Sequence, residues 1–381
     1  MKELLPINKN ILKWSRESMG LSLKELADKI HKPIYVVKSW EEGNSTPTYS
    51  QLEKLAYNIF KRPVAVFFFP EVPKEDSPKT EFRTLPNAIR DSLSPSMIML
   101  YRKAKVFQLN LKDLYEGEKP SKRNILDSFS LNTSTDISSL ASNIRDFISL
   151  SIEEQFSWQS LDVAFKEWRK VFEKIGIFVF KDAFRNDDYS GFCIYDKNYP
   201  IIFVNNSMPI SRQIFTLFHE LGHLLFHLGG IDFRDRRITD YFSKEYLVYE
   251  TKCNQFANEF LVPAKYLEQE HLYISELQFE KLSGKYSVSR EVILRNYFDR
   301  ELIDSNYYTK MSNKWIKEAK KERRKSKGGH YYYTQKTYLG DAYINLTFSK
   351  YYQNRISIDS LSKFLNIKVK NIATFEHYAF S

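Results

Sequence analysis

The chain has 381 residues, 43% of them hydrophobic and 27% charged, with a formal net charge of +10. That length predicts two or three domains with ordinary apolar cores. No apolar run approaches the ~18–20 residues of a membrane span, Met1–Asn10 lacks the basic-apolar-small order of a secretory signal, and two cysteines, Cys193 and Cys253, are too few for a disulfide framework; a cytoplasmic protein with no membrane partner is expected.

In chain order, residues 8–70 read as a compact set of short helices. Ser22 with Glu25 three residues on is a capping box, and Leu23, Leu26, Ala27 and Ile30 follow helical spacing. Pro33 suits the first turn of the next helix, which runs to Trp40 and Glu41 and stops at Gly43. Thr48–Phe60 is another, striped by Leu52, Leu55, Ala56 and Ile59, and Val64–Phe69 closes the module. Residues 70–80, rich in proline and charge, read as a linker. Residues 88–150 read as helical and carry no chemical motif. A helix over 153–175 precedes three strand-like runs, Gly176–Lys181, Gly191–Asp196 and Pro200–Asn205. A long helix from about Ile210 to Leu228 follows, then one from about Tyr246 to Leu261, stopped before Pro263. Farther on, Ser283–Phe298 reads as a small helix-turn-helix-like unit and Gly328-Gly329 as a break. His330–Thr334 reads as a strand, and Ile356–Asn366 as a helix capped by Ser357. From Lys314 to Lys327 eight Lys/Arg stand against two Glu; such a run either contacts a phosphate backbone or is a solvated helix or linker.

His219-Glu220-Leu221-Gly222-His223 is an H-E-x-x-H sequence inside an apolar helix. Residues four apart sit one turn up and rotated by only ~40°, so His219 and His223 can bind one ion. Zinc takes a third protein ligand and keeps a position open for water. Glu220 can take a proton from water that the metal has acidified. Glu250 opens an E-x-x-x-N pattern on the following helix, placing Glu250 as third ligand and Asn254 behind a ligand histidine as its hydrogen-bond partner. A buried histidine pair is the plain alternative, but two histidines and a carboxylate on an apolar face are costly without a role. His227, four residues past His223, is either a substrate or transition-state contact, an alternative ligand, or the polar end of the helix. Cys253 reads as a small buried residue.

These residues resemble the ImmA/IrrE-type metallopeptidase family. Ile201–Asn205 and Arg212–His223 resemble its strand and active-site helix, and Glu250–Pro263 its second helix. The resemblance covers roughly residues 155–265; Cys253 stands where alanine is frequent. It implies a zincin-like fold with a strand edge able to hold an extended peptide, and a cytoplasmic peptidase that cuts a specific regulatory protein. Lys285–Arg290, Gly329 and Tyr338–Gly340 resemble the tail of longer members, which sit in phage control or toxin–antitoxin operons.

Residues 8–70 resemble the XRE-type helix-turn-helix, in Leu21–Ala27, Val37–Gly43 and Pro47 with Gln51–Ala56. The recognition helix is expected in the major groove. Lys32 and Lys38 would meet phosphate, and Tyr35 and Ser39 base edges. Leu23 departs from the glutamine common in that family, which weakens one phosphate contact. Bundles of this shape also serve as protein-interaction modules.

The expected fold class is α+β, mainly helical. Its segments are a helix-turn-helix DNA-binding domain (1–72), a linker and helical region (73–150), a metallopeptidase domain with a small sheet and active-site helix (151–267), and a mixed helical and strand region of unknown role (268–381). The expected function is a transcription regulator fused to a zinc endopeptidase that binds a double-stranded operator as a homodimer and cleaves a cognate toxin or repressor. The alternatives are a non-proteolytic antitoxin-like regulator and a proteolytic toxin or phage-defence effector.

Overall fold

The computed structural model describes residues 5–75, 81–82, 85, 90, 93–186, 188–233, 243–323 and 329–380, without the side chains of 319–323. Part of the expected linker, 76–80, and Gly328 of the expected break lie outside these residues. The chain divides into two compact units, Met1–Arg102 and Lys103–Ser381.

Unit 1 begins with α1 (Lys9–Glu17), α2 (Leu23–Lys29), α3 (Ile34–Glu42) and α4 (Tyr49–Glu53). The last continues as a π-helical stretch, Lys54–Phe60, followed by a 3-10 turn, Val64–Phe68. Ser22 and Glu25 form the reciprocal cap that starts α2, at 3.1 and 2.8 Å, and Thr48 with Gln51 repeats it for α4. Pro33 stands just before the first residue of α3, and Gly43 ends that helix at φ +81°, a conformation glycine adopts without penalty. Ile11, Leu12, Leu26, Val37, Leu52 and Phe67 fill the core. Arg16 fixes α1 to α3 through a two-pronged ion pair with Glu41, at 2.7 and 2.9 Å, and donates a third bond to the Leu21 carbonyl. Helix α5 (Pro95–Leu114) runs through the division between the units.

Unit 2 contains α6 (Ile137–Ile148), α7 (Leu161–Lys174), β1 (Phe178–Asp182), β2 (Tyr189–Ile194), β3 (Ile201–Asn205), α8 (Ile210–Leu225), β4 (Gly230–Phe233) and α9 (Lys244–Leu261). The helix expected over 153–175 is two pieces, Ile152–Phe156 and α7. Ser160 interrupts it by accepting the Val163 N–H as an N-cap. The sheet order is β1-β3-β2-β4, with β1 and β3 parallel and the other pairs antiparallel. β4 was missed in the sequence because four residues containing a glycine and an aspartate give no alternating apolar signal.

β2 and β3 are buried at every position, as strands covered on both faces are. Val179, Cys193, Ile202 and Val204 face the core formed with α7, α8 and α9. Phe180, Phe192 and Phe203 face the other way, where Phe107 of α5 stacks on Phe180 at 4.4 Å.

Beyond α9 come α10 (Glu276–Tyr286), α11 (Arg290–Asp299), α12 (Ser305–Arg323), α13 (Tyr331–Leu339), α14 (Asp341–Tyr352), α15 (Ile358–Leu365) and α16 (Ile372–Phe380). The strand expected over His330–Thr334, and with it the mixed character expected of 268–381, gives way to helix in the described residues. Three successive tyrosines favour strand by propensity. Here Tyr332 and Tyr333 both pack on Tyr378 of α16, so helix packing overrides the local preference. Tyr343 of α14 reaches the free face of the sheet, 5.2 Å from Phe180. Its hydroxyl donates to the Phe364 carbonyl and accepts from Asn110.

Candidate metal centre

Helix α8 is built to bury a polar row. Ile214, Leu217, Phe218, Leu221, Leu224 and Leu225 anchor it in the core. Phe218 alone lies within 4.6–5.3 Å of the rings of Trp168, Phe172 and Phe260. With the helix so held, His219, Glu220 and His223 are each no more than 1% exposed. Helix α9 packs against it closely: a Cβ at Gly222 would lie 3.0–3.1 Å from Cys253. Glycine at the fourth position of the H-E-x-x-H row therefore lets the two helices approach, and Cys253 fills that contact as a small buried side chain.

That approach brings Glu250 to the histidines. His219 Nε2 is 3.2 Å from His223 Nε2, and Glu250 lies 3.4 and 3.2 Å from the two. Ligands ~2.0–2.1 Å from a tetrahedral ion are separated by about 3.3 Å, so the three residues fit a zinc-sized cation. Two imidazole Nε2 atoms facing each other across one carboxylate is also an arrangement that a cation satisfies. Asn254 Oδ1 accepts from His219 Nδ1 at 3.1 Å, which leaves the Nε2 lone pair directed at the centre.

The electrostatics agree with a site made for positive charge. Burial disfavours a charged His219, but Asp232 and Glu250 outweigh it and hold its pKa at about 9. Burial likewise opposes charge on Glu250, yet His223 and His219 keep its carboxyl well below the usual range. Glu220 differs. Burial pushes its carboxyl up to about 7 against the pull of His223 and His219. Neither of its oxygens meets a nitrogen or oxygen donor among the described residues; its polar neighbour is the thiol of Cys193.

Two features around the centre were not read from the sequence. Strand β4 passes so close that a Cβ at Gly230 would lie only 2.4–2.9 Å from atoms of the His223 ring. Asp232 of β4 accepts two bonds from Arg212, at 2.7 and 2.9 Å, and one from Thr216 at 2.9 Å, while Arg212 also donates to Ser190. Arg212 and Thr216 lie on α8 seven and three residues before His219, a helical spacing that could have signalled a shared face. Tyr246, one turn before Glu250, is buried with its hydroxyl at the Glu250 carboxylate. His227 is not brought to the group. It lies past the end of α8 at φ +58°, exposed and packed on Tyr195.

In unit 1, Lys32, Tyr35 and Lys38 are exposed along the start and outer face of α3. Ser39 is half-buried and shares a 2.7 Å hydrogen bond with Ser45. Lys38 lies 3.7 Å from Glu42, one turn on.

Residues 172–297 match the family model of the IrrE N-terminal-like domain, a peptidase family, and residues 12–56 match that of the helix-turn-helix. No curated protein and no solved structure matches the chain. The chain thus carries a stretch similar to a helix-turn-helix in its first unit and one similar to the IrrE N-terminal-like domain in its second.

Proposed function

We propose that the chain is a DNA-binding regulator whose second unit is a zinc-dependent endopeptidase cutting a specific regulatory partner protein. The observation that carries this reading is the meeting of His219, His223 and Glu250, their ligand atoms all within 4.8 Å, beside the buried carboxylate of Glu220. The three residues would hold the ion through the two Nε2 atoms and a carboxylate oxygen. A bound zinc ion supplies Lewis acidity toward a peptide carbonyl and makes water easier to deprotonate. Glu220 is the general base. It accepts a proton as water oxygen bonds to the carbonyl carbon, and returns that proton to the amide nitrogen as the C–N bond breaks. Asn254 fixes the ring of His219. β4, at the edge of the sheet, offers backbone groups to an extended substrate, and Gly230 brings that edge against the centre.

On DNA, α3 enters the major groove with Lys32 and Lys38 on phosphates and Tyr35 and Ser39 toward base edges. The chain acts there as a homodimer.

The test co-expresses wild type and Glu220→Gln, each with the protein encoded beside it, and measures zinc content and the partner's mass. Wild type yields a cut partner; the variant keeps zinc and leaves the partner whole. A partner processed equally by both, or held uncut in a stable complex by both, overturns the peptidase reading.

A further inference from the structure

Unit 1 carries a cleft that neither the metal centre nor the outer face of α3 uses. It has a volume of about 390 Å³ and is half open to solvent, within the ~300–1,000 Å³ of small-molecule sites. The α1–α2 turn and the last turn of α2 form one wall. The end of the π-helical stretch and the first turns of α5 form the others.

These walls are held before any ligand arrives. The Arg102 guanidinium donates to the sulfur of Met19 at 3.1 Å and reaches that of Met99 at 4.0 Å, and both methionines line the cleft. Arg102 is itself fixed by the Phe60 carbonyl, the Ser18 hydroxyl and Glu75, at 3.3, 3.0 and 2.9 Å. Gly20, next to Met19, stands at φ +66°, and a Cβ there would lie 3.2 Å from the Leu93 carbonyl and 3.3 Å from the Ile98 side chain. The α1–α2 turn and the run into α5 therefore press together beside the cleft.

The lining is one-sided in its chemistry. Met19, Leu21, Ile59, Pro95 and Met99 supply apolar surface, and thioethers adapt to the shape laid on them. Asn58 and Ser96 are polar and neutral, Lys29 and Lys61 are exposed cations, and no lining residue is an acid. Among the described residues, the ion pairs of unit 1 use Arg16, Lys38, Arg62 and Arg102 as their cations, so Lys29 and Lys61 stand unpaired. Glu25, one turn before Lys29, is turned back into the cap of α2, where it accepts from the Ser22 N–H and hydroxyl, both at 2.8 Å. The two lysines come from different elements, so only the fold brings them to one rim.

We infer that this cleft binds a small organic acid, an apolar body carrying one carboxylate. The body lies on Met19, Leu21, Ile59 and Met99, and the carboxylate meets Lys29 and Lys61 at the solvent-facing rim. Long lysine stems cover apolar surface while the ammonium stays in water, which suits them to close over such a ligand. Charge selects the anion. Two unpaired cations and no acid repel a cationic ligand of the same shape and leave a neutral one without its ion pairs. An occupant touches α2, the first of the two motif helices, and α5 at once. The inference stands apart from the proteolytic and DNA-binding readings, and its test needs neither zinc nor duplex.

The test titrates the full chain in a calorimeter with 2-naphthoate and with decanoate. Two controls run beside them: 2-naphthylmethylammonium, which has the aromatic body and the opposite charge, and acetate, which has the head alone. Wild type binds one naphthoate or one decanoate per chain with Kd below about 1 mM. The tighter of the two names the body, flat ring or flexible chain. The ammonium and acetate bind about tenfold more weakly or worse. Lys29→Gln with Lys61→Gln, both at exposed positions, keeps the melting temperature and loses about fivefold or more for the acid. Ser96→Trp fills the cleft and abolishes binding. The inference is overturned if neither acid binds below about 1 mM or if the ammonium binds as tightly as the carboxylate. It is overturned equally if the double lysine variant binds the acid as wild type does, or if Ser96→Trp melts as wild type does and still binds it.

Discussion

Replacing Asn254 by alanine separates the support of a ligand from the ligand itself. The Asn254 oxygen accepts from Nδ1 of His219 at 3.1 Å, and His219 is only 1% exposed. Alanine leaves that N–H buried with no acceptor, at a cost of ~1–3 kcal/mol. His219 can escape by rotating its ring or by moving the proton to Nε2, and either escape removes the lone pair aimed at His223 and Glu250. The cost therefore falls on metal binding. Zinc affinity is expected to drop ~10–100-fold, the usual effect of losing such a partner, which is about 1.4–2.7 kcal/mol. Asn254→Asp keeps an acceptor and adds charge, so it holds or tightens the ion. Competition against a chromogenic chelator reads both variants, and melting of the metal-free proteins checks the fold. If N254A binds zinc within about twofold of wild type and its metal-free form melts normally, the support assigned to Asn254 is wrong.

Gly230→Ala drives a methyl group into the His223 ring; it should release zinc more severely than N254A, whereas Gly284→Ala, with nothing within 4 Å, should be neutral or raise stability by ~0.5–1 kcal/mol. Calorimetry and metal content distinguish them, and a G230A protein that keeps its zinc would contradict the close passage of β4. Phe218→Ala opens a cavity among three aromatic rings and should cost about 3–5 kcal/mol, seen as a lower melting temperature of unit 2; a loss under ~1 kcal/mol would mean the cluster does not anchor α8. Burial lowers the pKa of Lys181 to about 7, with Arg169 adding to the effect. The folded pKa lies below the unfolded one, so the unfolded chain binds more protons between about pH 7 and 10.5 and stability rises with pH across that window. Lys181→Met should exceed wild type in urea stability most below pH 7 and lose that advantage toward pH 10; a pH-independent difference would remove the explanation. Lys32→Ala should weaken duplex binding at all sequences and lower the salt slope by about one; an unchanged slope would take Lys32 off the phosphate.

The parts of this chain legible in its sequence are those governed by local rules. Ser22 with Glu25 starts α2, Gly43 ends α3, and Ser357 caps α15, because each satisfies orphan backbone groups within a few residues. The H-E-x-x-H spacing marks one face of α8 because helical periodicity is itself a local rule. What escaped was set at a distance. β4 is a strand only because β2 pairs with it, and Asp232 acquires its partners from α8. Tyr331–Thr334 is helical because α16 lies against it. His227 follows His223 by four residues, but α8 ends at Leu225, so the helical row stops before reaching it.

Arg169 shows how far unit 2 depends on its last helices. From α7 it donates to the carbonyls of Val179 on β1 and of Thr337 and Tyr338 in the last turn of α13. At Gly340, φ +84°, a Cβ would collide with its guanidinium. The helices after Gly329 therefore supply the counter-dipole for a buried cation and the cover for Phe180 beneath Tyr343. A chain shortened before them would expose an oily aromatic face and strip Arg169 of its Thr337 and Tyr338 partners, leaving it Glu173 at 3.4 Å and the Val179 carbonyl. Loss of the tail by recombination or proteolysis would thus leave unit 2 prone to aggregation rather than release a trimmed and soluble one.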